Sequence, residues 1–593
     1  MSHRNSTVIG FCLLAISFLF AVSGCTKPAP KQESKNNDRL LAKTPVTSTD
    51  AGAQQKSNHE TPGKDQASKT PPAKTTKISK DTSSKNKETN GKDTSSKNKG
   101  TNGKKPSEKQ GLKSWPMFGG TPLRNPVNLK DQGIPSEWSV SEGKQKNVKW
   151  SAQLGTTSYG GPIIADGKIF VGTNNGHPRN PDIQGDKGVL MCFRQSDGAF
   201  LWQAVHDKLA SGQDNDWPRQ GIASSPAVEG KRVYYVSNRC EVVCADTEGF
   251  LDGKNDGVQD EVHKGKTDAD IIWRLDMIKE LGVYPKFLST CSPVIGGDLL
   301  FIVTANGVNE DFKVVNPKAP SFIAVDKHTG KVVWQDNSPG DQIMEGQWGN
   351  PAYVEVNGVA QAIFPGGDGW LYSFEAKTGK LIWKFNCNPP KAVFKPGGGG
   401  DKNYFLSTPV IYDNKCYIGV GRNPDDGSDA GHLWCIDITK KGDVSPKDDK
   451  FNPKDPVNKD SALVWHVGGK IDPPPKTIGR EWHFGRTLST CCVHDGLVYV
   501  AELDGYFYCF DAATGKQYWV YDMKTSTWGT ALYVDNKVLV TTEEGDVLVF
   551  RPGKKLEKIA ANNMEAGLKS TPVVVDGVLY ILTDSKLYAI EAQ

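Results

Sequence analysis

Six residues combine ring faces, donors and charge in a way that can hold a ligand: Tyr159, Gln347, Trp348, His483, Arg486 and Trp528. An aromatic face beside a guanidinium can stack a planar anion or anchor a peptide, because the ring quadrupole and the rigid fork of donors both act at short range. Indoles also serve as core packing, so that role stays open for each Trp. The run Asp252-Gly-Lys-Asn-Asp256-Gly-Val-Gln-Asp260-Glu261 gathers carboxylates around glycine turns and offers Asp252, Asp256 and Asp260 to Ca²⁺. It is no EF-hand, since Lys254 takes the third position and His263 the twelfth, where Glu is required. A solvated acidic loop is the alternative. Gly397 to Gly400 lacks the Gly-Lys-Ser/Thr of a phosphate loop, and no C-x-x-C-H, zincin motif or nucleophile elbow occurs.

The elements that position these residues are short strands in repeated units. Leu488 to Met523 holds one complete unit: Cys491 to His494, Leu497 to Glu502, Tyr506 to Phe510 and Gln517 to Val520 are joined at Asp495-Gly496, Asp504-Gly505 and Ala513-Thr514-Gly515-Lys516. Such turn residues tolerate positive φ, so the stretch predicts a four-stranded antiparallel sheet of about 40 residues, the size of a propeller blade. Equivalent starts fall at Gly161-Pro162, Ser225-Pro226, Ser292-Pro293, Asn350-Pro351, Thr408-Pro409, Thr490-Cys491, Thr530-Ala531 and Thr571-Pro572. Fourth strands recur as Gly198 to Trp202, Gly330 to Trp334, Gly379 to Trp383 and Gly515 to Trp519, with less regular copies at Trp273 and Trp465. A fixed Trp face can wedge between neighbouring sheets. Eight starts predict an all-β chain folded as an eight-bladed propeller.

The eighth unit stops after its third strand, near Ile590. Val148-Lys149-Trp150 is expected to supply the missing outer strand, closing the ring and removing a free edge. The propeller is placed at 148–593, with a lead-in at 115–147 that contains Arg124-Asn125. Residues 173–187, 203–221, 305–319, 387–404, 422–431 and 467–487 fall in connections that emerge on one face, the top, whereas 246–270 and 439–462 lie below. Long loops on a rigid scaffold concentrate binding residues, so the partner site is expected on top. Cys192, Cys244, Cys435 and Cys509 occupy a small-residue position of third strands in different blades and read as core.

Ahead of the propeller, residues 1–25 read as a lipoprotein signal. Arg4 gives the basic start, Val8 to Ala21 the apolar run and Val22-Ser23-Gly24 the small residues before Cys25, the expected lipidation site. Residues 26–114 contain no Phe, Trp or Tyr and are expected to be a disordered Lys/Ser/Thr-rich tether, spanning about 50 Å as a coil. They carry a net charge of +11, and residues 115–593 carry −8. A mildly acidic body argues against nucleic acid as its partner.

The Thr/Ser-Pro starts, the closing Trp and turns such as Ala324-Val-Asp-Lys-His-Thr-Gly-Lys331 resemble the pyrroloquinoline-quinone (PQQ)-like β-propeller repeat family. That resemblance implies one of two roles. Quinoprotein alcohol dehydrogenases hold the quinone and Ca²⁺ in the central funnel, against a Trp and a vicinal disulfide; Cys491-Cys492 matches that disulfide in type, although two small core residues explain the pair as well. The lipid-anchored propeller of the outer-membrane β-barrel assembly machinery uses no cofactor and docks partners. With Cys25 and its tether, the architecture resembles the second more closely. The expectation is a non-catalytic scaffold in the cell envelope, anchored by lipid and facing the periplasm from the outer membrane, which binds protein or envelope polymer through its top face. A quinone-dependent oxidoreductase and a purely structural envelope component are the alternatives.

Overall fold

The computed structural model describes residues 113–473 and 480–593. The signal, Cys25 and nearly all of the tether lie outside the described residues. Eight small sheets form a propeller, numbered here as blades 1 to 8. Their first strands are Ile163–Ala165, Ala227–Glu229, Val294–Gly296, Ala352–Val356, Val410–Tyr412, Cys492–His494, Leu532–Val534 and Val573–Val575. All eight follow the expected starts. The hairpins below them turn on residues at positive φ, as at Asp166-Gly167, Asp495-Gly496 and Asp576-Gly577.

Blade 8 is completed by Val148–Gln153, which pairs antiparallel with Lys586–Ile590 and sets Trp150 opposite Ala589. The closing strand is therefore the N-terminal one. A strand brought from far along the chain ties the two ends of the ring together and leaves no open edge there.

Outer-strand tryptophans bridge to the next blade through both ring and N–H. The indole Nε1 of Trp202, Trp273, Trp334, Trp465 and Trp519 donates to the carbonyls of Thr247, Lys327, Ala376, Ala512 and Gly553, at 2.8–3.1 Å. Each carbonyl belongs to the following blade, so one side chain contributes a hydrogen bond and a large apolar surface to the same interface. Trp383 departs from this rule and donates to Gln361 Oε1 within its own blade. Blade 7 ends in Lys558–Asn563 and has no such Trp. Trp138 of the lead-in packs there instead: its backbone N–H reaches Asn562 Oδ1 and its indole reaches Met564 Sδ.

At the axis, the hydroxyl-Pro starts form a ring of hydrogen bonds. The N–H of Ser225 donates to Ser292 Oγ, that of Ser292 to Asn350 Oδ1, that of Thr408 to Thr490 Oγ1, that of Thr490 to Thr530 Oγ1 and that of Thr530 to Thr571 Oγ1. Asn350 Nδ2 reaches Thr408 Oγ1, continuing the circuit. Five blades thus cap a backbone donor of the blade before them, and this is why the repeat carries Ser, Thr or Asn at that position. The ring is interrupted at Gly161, which has no hydroxyl to offer Thr571.

The lead-in threads the bottom of the axis and touches all eight blades. Trp115 bridges Ile164 of blade 1, and Pro116 O accepts from Val228 N of blade 2. Arg124 donates to Ser292 O of blade 3 and Pro351 O of blade 4, and Pro122 O accepts from Tyr353 N. Leu123 O accepts from Ile411 N in blade 5, the Asn125 amide exchanges two bonds with Val493 in blade 6, and Pro126 O accepts from Tyr533 N in blade 7. Asn128 then donates to Val574 O in blade 8. Arg124 is fully buried with no carboxylate beside it, and burial lowers its pKa to about 9. Its donors are satisfied instead by three carbonyls, the third from Phe118. The segment that the repeat pattern left unassigned is a clasp across the whole ring.

Candidate functional site

The residue three places before each Pro position lies between two buried ones and is itself partly exposed. The eight are Tyr159, Ala223, Thr290, Trp348, Leu406, Leu488, Trp528 and Lys569, one per blade. They line the funnel above the hydroxyl ring. The lining is aromatic and aliphatic except for Thr290 and Lys569, and so is suited to contact more than to polar chemistry.

Tyr159, Trp348 and Trp528 belong to this register set. Tyr159 and Trp528 have ring centroids 5.8 Å apart, and Lys569 Nζ stands 5.2 Å from the Tyr159 centroid. The Tyr159 phenol donates to Gln220 Oε1. Its pKa is raised by burial and by Asp584, Glu543 and Asp425. Trp348 lies nearly parallel to Phe287, with an interplanar angle of 8°, and donates its indole N–H to Lys286 O. Phe287 has φ +58°, a strained conformation for a bulky residue, held by Asp214 O and by the N–H of Trp217.

Gln347, His483 and Arg486 are placed otherwise. Gln347 is the buried residue beside the funnel position; its amide bonds Asn306 O, Ser321 Oγ and Gly367 N. His483 sits exposed in the 467–487 connection. Arg486 is 2% exposed and spends its guanidinium on Asn403 Oδ1 and the carbonyls of Asp426, Gly427 and Gly398. Arg422 does the same with Lys395, Gly399 and Lys402. These two arginines pin the long top loops over blades 4 to 6, so Arg486 shapes the mouth without facing a ligand. Ala223, Thr290, Leu406, Leu488 and Lys569 are lining residues that the sequence reading missed; counting back three residues from each start would have found them.

Cys491 and Cys492 are both buried, with free thiols. Successive strand residues point to opposite faces. Cys491 packs into the interface of blades 5 and 6, Cys492 into that of blades 6 and 7 with Pro126 O at 3.5 Å from its sulfur, and burial raises both thiol pKa values. The pair lies in the blade wall, not over the funnel. A quinone seated in the funnel therefore has no vicinal disulfide against its face, and the residues do not fit that arrangement.

The acidic run on the bottom face does not converge. Asp252 caps the N–H of Lys254, the backbone N–H of Asp256 donates to Asp270 Oδ2, and Asp260 pairs with Arg274. Among the described residues no group of three His, Cys, Asp or Glu side chains is arranged to hold a metal.

The family model described as outer membrane protein assembly factor BamB matches residues 256–393 and 457–593. Those two spans carry PQQ-like repeats. Among solved structures, the chain resembles BamB from Moraxella catarrhalis, with a TM-score of 0.45 and 13% identity over 75% of this chain and 96% of that one. It also resembles the quinohemoprotein alcohol dehydrogenase of Comamonas testosteroni, with a TM-score of 0.42 and 12% identity over 82% of each chain. A curated relative, the 1-butanol dehydrogenase (quinone) of Thauera butanivorans, is 29% identical over 166 residues, which is 26% of this chain and 25% of that enzyme. The match thus spans about a quarter of that relative.

Proposed function

We propose that this protein is a non-catalytic docking scaffold of the cell envelope, held by lipid at Cys25 and binding a protein partner through its top funnel. The observation that carries the reading is the funnel lining: eight positions in register, partly exposed, with Tyr159, Trp348 and Trp528 among aliphatic neighbours. Amphipathic aromatics on a rigid frame supply contact area at low entropic cost, as in binding hot spots. The assembly-factor family model and the lipobox at Val22 to Cys25 support an envelope setting.

The test is a photo-crosslinking residue placed at Leu406 or Trp528 in the full chain in its own envelope, with Asp413 on the bottom face as control. One partner captured from both funnel positions and not from Asp413 is expected. Labelling at neither funnel position overturns the docking role.

The short match to a quinone dehydrogenase favours a second reading, an oxidoreductase that uses the same funnel. Titration of the full chain with PQQ and Ca²⁺, followed by Trp fluorescence and dye reduction with alcohols, distinguishes the two. Saturable quenching with turnover would replace the scaffold.

A further inference from the structure

The funnel mouth is electrostatically lopsided. On blades 5 to 8 the top turns bring Asp425, Asp426, Asp429, Glu502, Asp504, Glu543, Glu544 and Asp584 together. Four of these have a cation: Arg422 near Asp426, Arg486 near Asp429, Arg480 on Glu502 and Lys569 on Asp584. Among the described residues Asp425, Glu543 and Glu544 have none, and Asp504 makes no ion pair although Arg480 and Arg486 act on it. Ser428 donates to Asp504 and Ser526 donates to Glu543, which fixes both carboxylates without neutralising them.

Part of this surplus reaches the aromatic pair. Ser526 stands two residues before Trp528, and Asp425, Glu543 and Asp584 all act on the Tyr159 phenol. The sector already holds one cation of its own, since Lys569 lies over the Tyr159 ring while pairing with Asp584 at 2.9 Å. Trp528, the neighbouring ring, carries no such cation among the described residues. Ser158 and Ser570, chain neighbours of Tyr159 and Lys569, are buried with hydroxyls that have no partner.

We propose that this sector binds a lysine- or arginine-bearing polypeptide segment, with the cationic group against Trp528 between Asp425 and Glu543. Cation–π attraction and two unpaired carboxylates act on the same group, and the Lys569–Tyr159–Asp584 arrangement is the internal precedent for that contact. The proposal rests on the scaffold reading and names the chemistry of its partner.

The test is calorimetric titration of the full chain, and in parallel of residues 113–593, which contain the clasp and the closed ring, with a hexa-arginine peptide at low and high salt. Binding is expected to weaken at least tenfold in the Asp425→Asn/Glu543→Gln variant and in Trp528→Leu, and to weaken with salt. A control variant, Glu310→Gln/Asp341→Asn, makes the same charge change on the blade 3 side and should bind like the parent. The proposal is overturned if hexa-arginine does not bind, or if the control weakens binding as much as the funnel pair. Since Asp425 and Glu543 are at the surface, their variant keeps the test valid even if Trp528→Leu fails to fold. Funnel crosslinks to a partner without hexa-arginine binding would sink this proposal alone; the loss of those crosslinks would sink the scaffold reading.

Discussion

Gly330 of blade 3 lies beneath the indole of Trp273 of blade 2: a Cβ placed on it would stand 2.6 Å from the ring. The same relation joins Gly198 to Trp150, Gly249 to Trp202, Gly379 to Trp334 and Gly515 to Trp465. The glycine of each such turn serves the Trp of the preceding blade, and at Gly198, Gly330 and Gly515 the Trp four residues later serves the next.

Gly330→Ala is expected to destabilise the fold by about 2–4 kcal/mol, combining the left-handed backbone (φ +73°) with an overpacked interface. Gly212→Ala is the control, because Gly212 also has positive φ (+87°) but nothing within 4 Å of the added carbon, so only about 1–2 kcal/mol should be lost. Equal losses in denaturant unfolding would show that the indole contact does not matter.

Gly161→Ser should stabilise the ring by about 0.5–1.5 kcal/mol, since it supplies the hydroxyl missing from the axial circuit. There is room for it: the added Cβ would meet only Thr571 O, at 3.4 Å. An unchanged or lowered midpoint would mean that the interruption is not a lost bond.

Asn125→Ala removes both hydrogen bonds between the clasp and Val493, and about 1–3 kcal/mol is expected to go with them. Hydrogen exchange should show the loss as faster exchange at Val493, the donor left unpaired. Protection there equal to the parent's would contradict the role given to the lead-in.

Asp504 has its carboxyl pKa raised to about 6, first by burial and then by Glu502. A carboxyl that holds its proton more tightly when folded costs stability as pH rises from about 4 through 6, and the cost persists above that window. Asp504→Asn should therefore gain about 1–2 kcal/mol at pH 8, reduced by solvent screening of a partly exposed group, and little at pH 4. A gain of equal size at both pH values would exclude titration as its cause.

His432 shifts stability in the opposite direction. Burial lowers its pKa to about 4, with Nδ1 at 2.8 Å from His466 Nε2. The unfolded chain takes up a proton near pH 6.5 before the folded one does, so this site favours unfolding as pH falls from 6.5 to 4. His432→Gln should flatten that part of the stability curve, read from unfolding midpoints across the window.

The propeller was legible because its signal is periodic: turn dipeptides, hydroxyl-Pro starts and closing tryptophans recur in every few strands, and the unpaired eighth unit pointed to Val148 to Trp150. The clasp was not. Trp115 to Asn128 repeats nothing, and most of its bonds are made by backbone carbonyls, which leave little trace in side-chain type. The funnel was half legible. Tyr159, Trp348 and Trp528 were found as aromatics near strand starts, but Arg486 has the same chemical profile and turns inward to the carbonyls of neighbouring loops. Whether a guanidinium meets solvent or backbone depends on loops distant in sequence, whereas Asp252, Asp256 and Asp260 are each tied to a different local partner.

The clasp also determines how the fold meets a mechanical load. Tension entering at Lys113 reaches Trp115 first and must release its bridge to Ile164, then Pro116 from Val228, and so on around the axis, before it acts on Val148–Gln153. The strand that closes the ring is thus the last part of this route to be pulled. The lead-in works as a cable's strain relief does, taking up a tug in small successive slips while the joint behind it stays shut.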